Sequence, residues 1–326
     1  MNKKIKLKLE IKMFYNYITG NDYQREKLKM NHRTGEKHIP RLPGWTLSVC
    51  CGRGSIAEVW QGEDPCGHRQ AVRLVSRKQD PAVLAKERAG VGLFWKLCGR
   101  NPHLLNIYQT GETADHLYSI MECADSLYGP DHSFVPDTLA ARLERAPLPV
   151  DEVLTYLDSI LSGVEFLHDR NLAHGDLQPA NILFVRGVLK IGDPGLVLKG
   201  DREISGGTAQ FRPPWIASGI EADIYAVGIL IYVMLTGQRP SLFPELPDQC
   251  SLSAIMPLNM ISLRCCERNP KLRFRRVAEI RNALTGVKKT LTAGGSFISC
   301  RIEDQAQFEQ QPGRYCEQQL TEYIRR

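Results

Sequence analysis

A stripe of apolar residues between Val150 and His168 is the clearest periodic pattern in the chain. Apolar residues that recur three or four positions apart lie on one face of an α-helix. The stripe consists of Val150, Val153, Leu154, Leu157, Ile160, Leu161, Val164 and Leu167. It predicts a helix over residues 150–168, and its apolar face is expected to pack in the core rather than to bind a cofactor.

Weaker patterns predict the other elements. Helical spacing of apolar residues covers residues 80–97, 138–144, 221–235 and 274–284. Short runs rich in β-branched residues, bounded by turn residues, predict strands. These runs cover residues 45–49, 70–75, 101–107, 117–123, 182–185 and 188–191.

Charge is unevenly distributed along the chain. The net charge is +6, but residues 1–29 hold eight Lys and Arg against three Asp and Glu, so the remainder is close to neutral. A nearly neutral body argues against a nucleic-acid-binding surface. Residues 1–44 are interpreted as a basic appendage, with a membrane- or RNA-contacting arm as the alternative. Met30 is a second candidate for the true start.

Ten cysteines occur in the 326 residues, and none forms a Cys-x-x-Cys pair, so the spacing predicts no zinc site. Many lie in apolar contexts, which favours reduced thiols in a cytoplasmic protein. The longest apolar run, residues 224–235, is shorter than a membrane span. We therefore expect no membrane-spanning segment.

The chemistry is concentrated in one stretch, residues 174–181, which reads His-Gly-Asp-Leu-Gln-Pro-Ala-Asn. Asp193-Pro194-Gly195 begins twelve residues after Asn181. An aspartate that accepts a hydroxyl proton, together with an Asn and an Asp that hold Mg²⁺, are the parts that phosphoryl transfer requires. The alternative is a polar surface loop followed by an ordinary turn.

A glycine-rich segment precedes this stretch. Residues 52–59 read Gly-Arg-Gly-Ser-Ile-Ala-Glu-Val and lie between two strand-like runs. Glycines let backbone N–H groups approach phosphate oxygens closely. A plain hairpin turn gives a similar pattern. The strand-like run on each side favours a phosphate-binding loop instead.

Together these motifs resemble those of the protein-kinase superfamily, which has a His-Arg-Asp-x-x-x-x-Asn loop, an Asp-Phe-Gly turn and a Gly-x-Gly-x-x-Gly-x-Val loop. The resemblance implies a bilobal α+β fold, with a small antiparallel sheet at about residues 45–124 and a mainly helical lobe at about residues 125–285. Residues 286–326 are then a polar tail. It also implies ATP and Mg²⁺ as ligands, and transfer of the γ-phosphate to Ser or Thr hydroxyls.

The resemblance assigns roles to individual residues. Asp176 is the expected base, and Asn181 and Asp193 are the expected Mg²⁺ ligands. The expected nucleotide-binding residues are Gly52, Gly54, Val59, Ala71, Arg73, Met121, Glu122, Ala124 and Leu183. Among these, Met121 is expected at the back of the adenine pocket, and residues 122–124 are expected to form the hinge between the lobes.

Several positions depart from the family pattern. Arg73 replaces the phosphate-pairing Lys, and Glu87 is the candidate partner of Arg73, with an exposed helix glutamate as the alternative. Gly175 replaces the loop Arg, Gln178 replaces a catalytic Lys and Pro194 replaces Phe. Because a neutral amide cannot replace a cation beside the γ-phosphate, we expect weak transfer or none.

Two structural residues are also expected from the resemblance. Asp223 is expected to hold the backbone of the catalytic loop, or alternatively to cap a helix. Arg273 normally pairs with a Glu that would follow Pro214, but Trp215 stands there, which leaves the partner of Arg273 open.

Three functions therefore remain as hypotheses. The first is a weak protein kinase, the second a pseudokinase that binds partners as a scaffold, and the third a small-molecule phosphotransferase. The sequence identifies neither a protein substrate nor a binding partner.

Overall fold

The computed structural model describes residues 39–129, 133–193, 197–204, 207–247 and 252–292. The chain divides into two compact units, Met1–Pro43 and Gly44–Arg326, and the second contains all the elements described below. Pro194 and Gly195 of the predicted metal turn lie outside the described residues. So do most of the predicted N-terminal appendage and the chain beyond residue 292.

The first part of the larger unit is a five-stranded antiparallel sheet with strand order β1-β2-β3-β5-β4. The strands are β1 (Thr46–Arg53), β2 (Ala57–Glu63), β3 (Arg69–Ser76), β4 (Ile107–Glu112) and β5 (His116–Met121). Strands β1 to β3 follow one another as hairpins. This order places β3, which carries Arg73, in the centre of the sheet.

Helix α1 (Pro81–Trp95) is inserted between β3 and β4. The Asp80 side chain caps it by accepting a hydrogen bond from the Ala82 N–H, and Pro81 occupies the first turn, where its missing N–H costs nothing. Glu87 lies on the buried face with Leu84 and Phe94. The alternative of an exposed helix glutamate at position 87 is therefore wrong.

The second part is mainly helical. Its helices are α2 (Leu139–Leu143), α3 (Val150–His168), α4 (Gly219–Thr236), α5 (Leu252–Cys265) and α6 (Val277–Thr292). Short strands β6 (Leu172–Ala173) and β9 (Leu198–Lys199) pair with each other, as do β7 (Ile182–Val185) and β8 (Val188–Ile191). The structure thus has the α+β, two-part architecture that was expected.

Helices α3 and α4 form the centre of the core. The predicted stripe of α3 is confirmed, because Val153, Leu157 and Ile160 are fully buried. In α4, Ser218 and Glu221 form a reciprocal capping box and Gly237 ends the helix in the left-handed conformation. Within the described residues, α4 is also the one helix long and apolar enough to cross a membrane, and 83% of it is buried inside the domain, as in a core helix.

Two predicted elements differ from the structure, and one helix was missed. The strand predicted at residues 101–107 is wrong: Leu104 and Leu105 are buried in irregular backbone that contacts Ile191, and the strand begins at Ile107. The last helix spans Val277–Thr292 rather than residues 274–284, so it continues past the point where the polar tail was predicted to begin. Helix α5 was not predicted, and it contains Pro257.

Candidate active site

Strand register aligns the glycine-rich loop with the expected phosphate-binding residues. Gly52 lies opposite Val59 on β2, and Val59 lies opposite Arg73 on β3. A Cβ atom built on Gly52 would meet nothing in the protein within 4 Å. The protein's own packing therefore does not require glycine there, and the open space allows the backbone to approach a ligand.

The Arg73 side chain contacts two carboxylates, those of Glu87 and Asp193. Its guanidinium is bonded to both carboxylate oxygens of Glu87, and its Nη2 lies 3.0 Å from Oδ1 of Asp193. The Arg73 side chain is only 6% exposed, whereas that of Asp193 is 40% exposed. The expected pairing of Arg73 with Glu87 is confirmed. The contact of Arg73 with Asp193 was not predicted.

The charge balance of this cluster favours a permanently charged arginine. Burial alone would lower the pKa of Arg73, but the carboxylates of Asp193 and Glu87 more than offset it and raise that pKa. Removing one partner of a buried ion pair strongly destabilises the folded protein. The cluster therefore fixes the spacing between β3, α1 and the segment that carries Asp193.

Asp176 is held by three donors. Gln178 Nε2 and Asn181 Nδ2 donate to Oδ2 at 2.9 and 3.0 Å, and the Thr208 N–H donates to Oδ1 at 2.7 Å. Asn181 Nδ2 also donates to the Asp176 carbonyl at 2.8 Å. The expected base and one expected Mg²⁺ ligand thus lie together, and the neutral amide of Gln178 contacts the base directly.

Gly207 allows Thr208 to reach Asp176. It has φ +89°, and a Cβ atom there would lie 2.6 Å from the Gly175 carbonyl oxygen and 3.2 Å from Asp176 Oδ1. No side chain fits this approach without displacing backbone. The described contact of Thr208 with Asp176 is made by its backbone N–H.

Asp223 on α4 holds the backbone of the loop that carries Asp176. Its carboxylate accepts the N–H groups of His174 at 2.8 Å and Gly175 at 2.9 Å, and its Oδ2 lies 3.0 Å from His168 Nε2. The expected role in tying down the loop is confirmed. The alternative, a helix cap, is wrong because Ser218 occupies the cap position.

His174 couples the two catalytic segments. It is fully buried, its Nε2 lies 2.7 Å from the Gly192 carbonyl oxygen, and its Nδ1 accepts the Asp176 N–H at 3.3 Å. Both contacts are satisfied when the proton is on Nε2. The histidine therefore positions the loop with the base relative to the residue that precedes Asp193.

The expected adenine pocket lies between the two parts of the domain. Ala71 pairs with Met121 across β3 and β5, and both are buried, while Val59 and Leu183 are partly buried against the same core. Ala124 is half-buried just beyond β5. These residues give the apolar surroundings that a nucleobase requires.

The backbone of Glu122 is expected to bond the nucleobase at the hinge, whereas its side chain forms an ion pair. It lies 2.8 Å from Lys190 Nζ on β8 and accepts the Asn106 N–H at 2.8 Å. Both side chains of the pair are nearly buried. This ion pair ties the hinge segment to the β7–β8 hairpin that follows Asn181.

The residues present fit MgATP. Amide and carboxylate oxygens such as those of Asn181 and Asp193 are ligands that Mg²⁺ prefers. The open space above Gly52 suits phosphate groups, and Arg73 supplies a cation beside them. One feature is unusual for this purpose, because Asp193 Oδ1 already contacts the guanidinium of Arg73.

Arg273 finds its partner on α4. Its Nη2 lies 2.6 Å from Glu221 Oε1, its Nη1 donates to the Glu267 carbonyl, and its guanidinium lies 5.3 Å from the Trp215 ring. Glu221 thus replaces the glutamate that is missing after Pro214. The sequence reasoning missed this residue, although the capping-box spacing of Ser218 and Glu221 was visible.

Comparison with known proteins agrees with this geometry. The family model for the protein kinase domain matches residues 45–282. The chain is 31% identical over 206 residues to a probable serine/threonine-protein kinase PknB of Lactococcus lactis, covering 58% of this chain and 31% of that protein. It is 27% identical over 216 residues to a probable serine/threonine-protein kinase KCC4 of Saccharomyces cerevisiae, covering 60% and 20%.

A plant relative gives a similar result. The SNF1-related protein kinase catalytic subunit alpha KIN12 of Arabidopsis thaliana is 27% identical over 222 residues, covering 64% of this chain and 43% of that protein. The chain thus matches less than half the length of each of these relatives. The fold and the site are of the protein-kinase type. The chain belongs to the protein kinase domain family.

Proposed function

We propose that this domain binds ATP with Mg²⁺ and transfers the γ-phosphate slowly to Ser or Thr hydroxyls. The observation that carries the proposal is the assembled pair of clusters: Arg73 with Glu87 and Asp193, and Asp176 with Asn181. In protein kinases, the ion pair between β3 and the following helix and the metal-binding aspartate must both be in place for transfer.

Each residue has a distinct task in this proposal. Asp176 accepts the proton of the attacking hydroxyl, and its orientation is fixed by Asn181 and Thr208. Asn181 and Asp193 are the residues that would hold Mg²⁺, which supplies charge neutralisation at the β- and γ-phosphate oxygens when bound. Arg73 adds positive charge at the α- and β-phosphates.

Two substitutions make the transfer slow. Gln178 contacts Asp176 with a neutral amide where the related enzymes carry a Lys, so no side-chain cation stands there beside the γ-phosphate. Arg73 occupies one oxygen of Asp193, and the planar guanidinium is bulkier than an ammonium. Both effects reduce the stabilisation of the charge that develops in the transition state.

A nucleotide-binding pseudokinase that acts as a scaffold is the second candidate. The contact between Arg73 and Asp193 favours it, because that contact competes with the metal for the carboxylate. The deciding experiment follows phosphate incorporation from labelled ATP into the protein itself and into a generic basic substrate. Slow incorporation that Asp176→Asn abolishes supports the kinase. Nucleotide binding without any incorporation supports the scaffold.

A further inference from the structure

The turn between β2 and β3 brings together three side chains with metal-binding chemistry. Asp64, Cys66 and His68 occupy alternate positions of a five-residue turn, and one ligand atom from each lies within 4.8 Å of the others. Asp64 is half-buried, whereas Cys66 and His68 are exposed. The turn lies at the end of β2 remote from the glycine-rich loop, so it is separate from the candidate active site.

The backbone of the turn already fixes the ligand geometry. Asp64 Oδ1 accepts the N–H groups of Cys66 at 2.8 Å and His68 at 2.9 Å. The Asp64 N–H donates to the His68 carbonyl at 3.1 Å, and Gly67 adopts φ +84° to close the loop. These bonds leave Asp64 Oδ2 directed at His68 Nδ1, 3.0 Å away.

That 3.0 Å separation suits two atoms that share one metal ion. Zinc–oxygen and zinc–nitrogen bonds of about 2.0–2.1 Å place two such ligands roughly 3.0–3.5 Å apart, and the zinc–sulfur bond is about 2.3 Å. The ion would therefore replace the proton between Oδ2 and Nδ1. Only the exposed Cys66 side chain has to move to complete the set.

The charges of the three groups also suit a divalent ion. A carboxylate and a thiolate together balance the charge of Zn²⁺, and the neutral imidazole adds a third donor. Thiolate, imidazole and carboxylate are the zinc ligands found in proteins.

We propose that Asp64, Cys66 and His68 form a Zn²⁺ site on this turn, with Oδ2, Sγ and Nδ1 as ligands and a fourth position open to water. On binding, the Cys66 thiol releases its proton to solvent, and the imidazole proton of His68 moves from Nδ1 to Nε2. One proton is thus released per ion. The expectation of no zinc site rests on Cys-x-x-Cys spacing and does not consider a turn of this kind.

Titration of the full chain with Co²⁺, followed by displacement with Zn²⁺, tests the proposal. Co²⁺ bound to a thiolate gives a sulfur-to-cobalt charge-transfer absorption, which reports the ligand directly. We expect one ion per chain with this absorption, and a loss of affinity of more than about tenfold, about 1.4 kcal/mol, in both Cys66→Ser and His68→Asn. The matched control, Cys50→Ser, removes a half-buried thiol on β1 and should leave the titration unchanged.

Two results would overturn the site. One is the absence of the charge-transfer band in the wild-type protein. The other is a Co²⁺ titration of Cys66→Ser and His68→Asn that matches wild type, which would assign the metal to another thiol of the chain. Thermal melting without metal, compared among the variants, shows whether the turn itself still folds. The proposal is independent of nucleotide binding, so the stabilisation by MgATP should be the same in all of these proteins.

Discussion

Arg73 Nη2 lies 3.0 Å from Asp193 Oδ1 while the same guanidinium pairs with Glu87. The arginine therefore joins the central strand, helix α1 and the expected metal ligand in one cluster, in which Arg73 and Glu87 are buried and Asp193 is partly exposed. A lysine at this position has a single ammonium group and cannot hold both carboxylates in a planar fork. The arginine keeps the cluster assembled but places a cation against the residue expected to bind Mg²⁺.

The first prediction is that Arg73→Lys increases autophosphorylation. The shorter, compact ammonium can still pair with Glu87 while it frees Asp193 for Mg²⁺. We expect a rise of about tenfold, equal to about 1.4 kcal/mol of transition-state stabilisation. The measurement is the initial rate of phosphate incorporation from labelled ATP.

The double variant Arg73→Lys/Gln178→Lys should be faster still, because it restores a cation beside Asp176. Asp176→Asn in the same background is the control and should remove the gain. If neither the single nor the double variant transfers phosphate, the slow-kinase proposal fails and the scaffold remains.

The second prediction concerns Glu221 and Arg273. Glu221→Gln keeps hydrogen-bonding capacity at the helix cap but removes the charge that pairs with the buried Arg273. Loss of one partner leaves an uncompensated buried charge, and since Glu221 is itself 41% exposed we expect a cost of about 1–3 kcal/mol, below the range for fully buried pairs. Urea unfolding measures it.

The matched control for that measurement is Glu112→Gln, which removes the charge of the exposed pair with Arg88. Exposed pairs contribute little to stability, so this variant should unfold like wild type. Equal unfolding midpoints for Glu221→Gln and wild type would show that Trp215 and the backbone carbonyls suffice to hold Arg273.

The third prediction is that Gly207→Ala impairs the catalytic loop. The added methyl group would press on the Gly175 carbonyl and on Asp176, and alanine disfavours φ +89°. We expect a loss of about 1–3 kcal/mol of stability and a fall in any transfer activity. The same change at Gly286, on α6, meets open space and should be neutral or slightly stabilising. A Gly207→Ala protein as stable and active as wild type would show that Thr208 does not position the base.

The fourth prediction is a loss of stability in alkali. Burial raises the pKa of Cys51 from 9.0 to about 12, with Cys123 and Cys50 adding to the effect, and raises that of Tyr225 from 10.0 to about 12. The unfolded chain therefore releases these protons at lower pH than the folded chain. The resulting stability is complete below pH 9 and is lost as the pH rises towards 12.

Urea midpoints measured from pH 8 to 11 test this slope. Tyr225→Phe removes one of the titrating groups and should flatten the decline above pH 10. A decline that is unchanged in this variant would show that Tyr225 ionises normally in the folded protein.

The residues of the candidate site could be located from sequence because they lie in short, continuous motifs. Asp176, Asn181 and Asp193 are fixed by local spacing, and the β3 position of Arg73 left Glu87 as one of two acidic candidates. The partner of Arg273 could not be predicted in this way. Glu221 is 52 residues distant, and only the packing of α4 against the segment after α5 brings the two together.

The misplaced strand has a related cause. The apolar pair Leu104 and Leu105 looked like a strand, but these residues fill the core from a loop that contacts β8. The true strand β4 lies at the sheet edge and exposes Tyr108 and Gln109, so its pattern is polar. Apolar runs report burial, and burial does not require a strand. The sequence reasoning did not group Asp64, Cys66 and His68, because these residues alternate along a hairpin turn rather than follow a familiar cysteine spacing.

Calorimetric titration of the full chain with ATP in the presence of Mg²⁺ measures directly whether the domain binds nucleotide. Asn181, Asp193 and the open glycine-rich loop predict saturable binding of one nucleotide, with an increase of about 2.7 kcal/mol in unfolding free energy at 100 times the Kd. Asp193→Asn should weaken binding in Mg²⁺ but alter binding in EDTA much less. No heat and no thermal shift at millimolar MgATP would show that the domain has no nucleotide site.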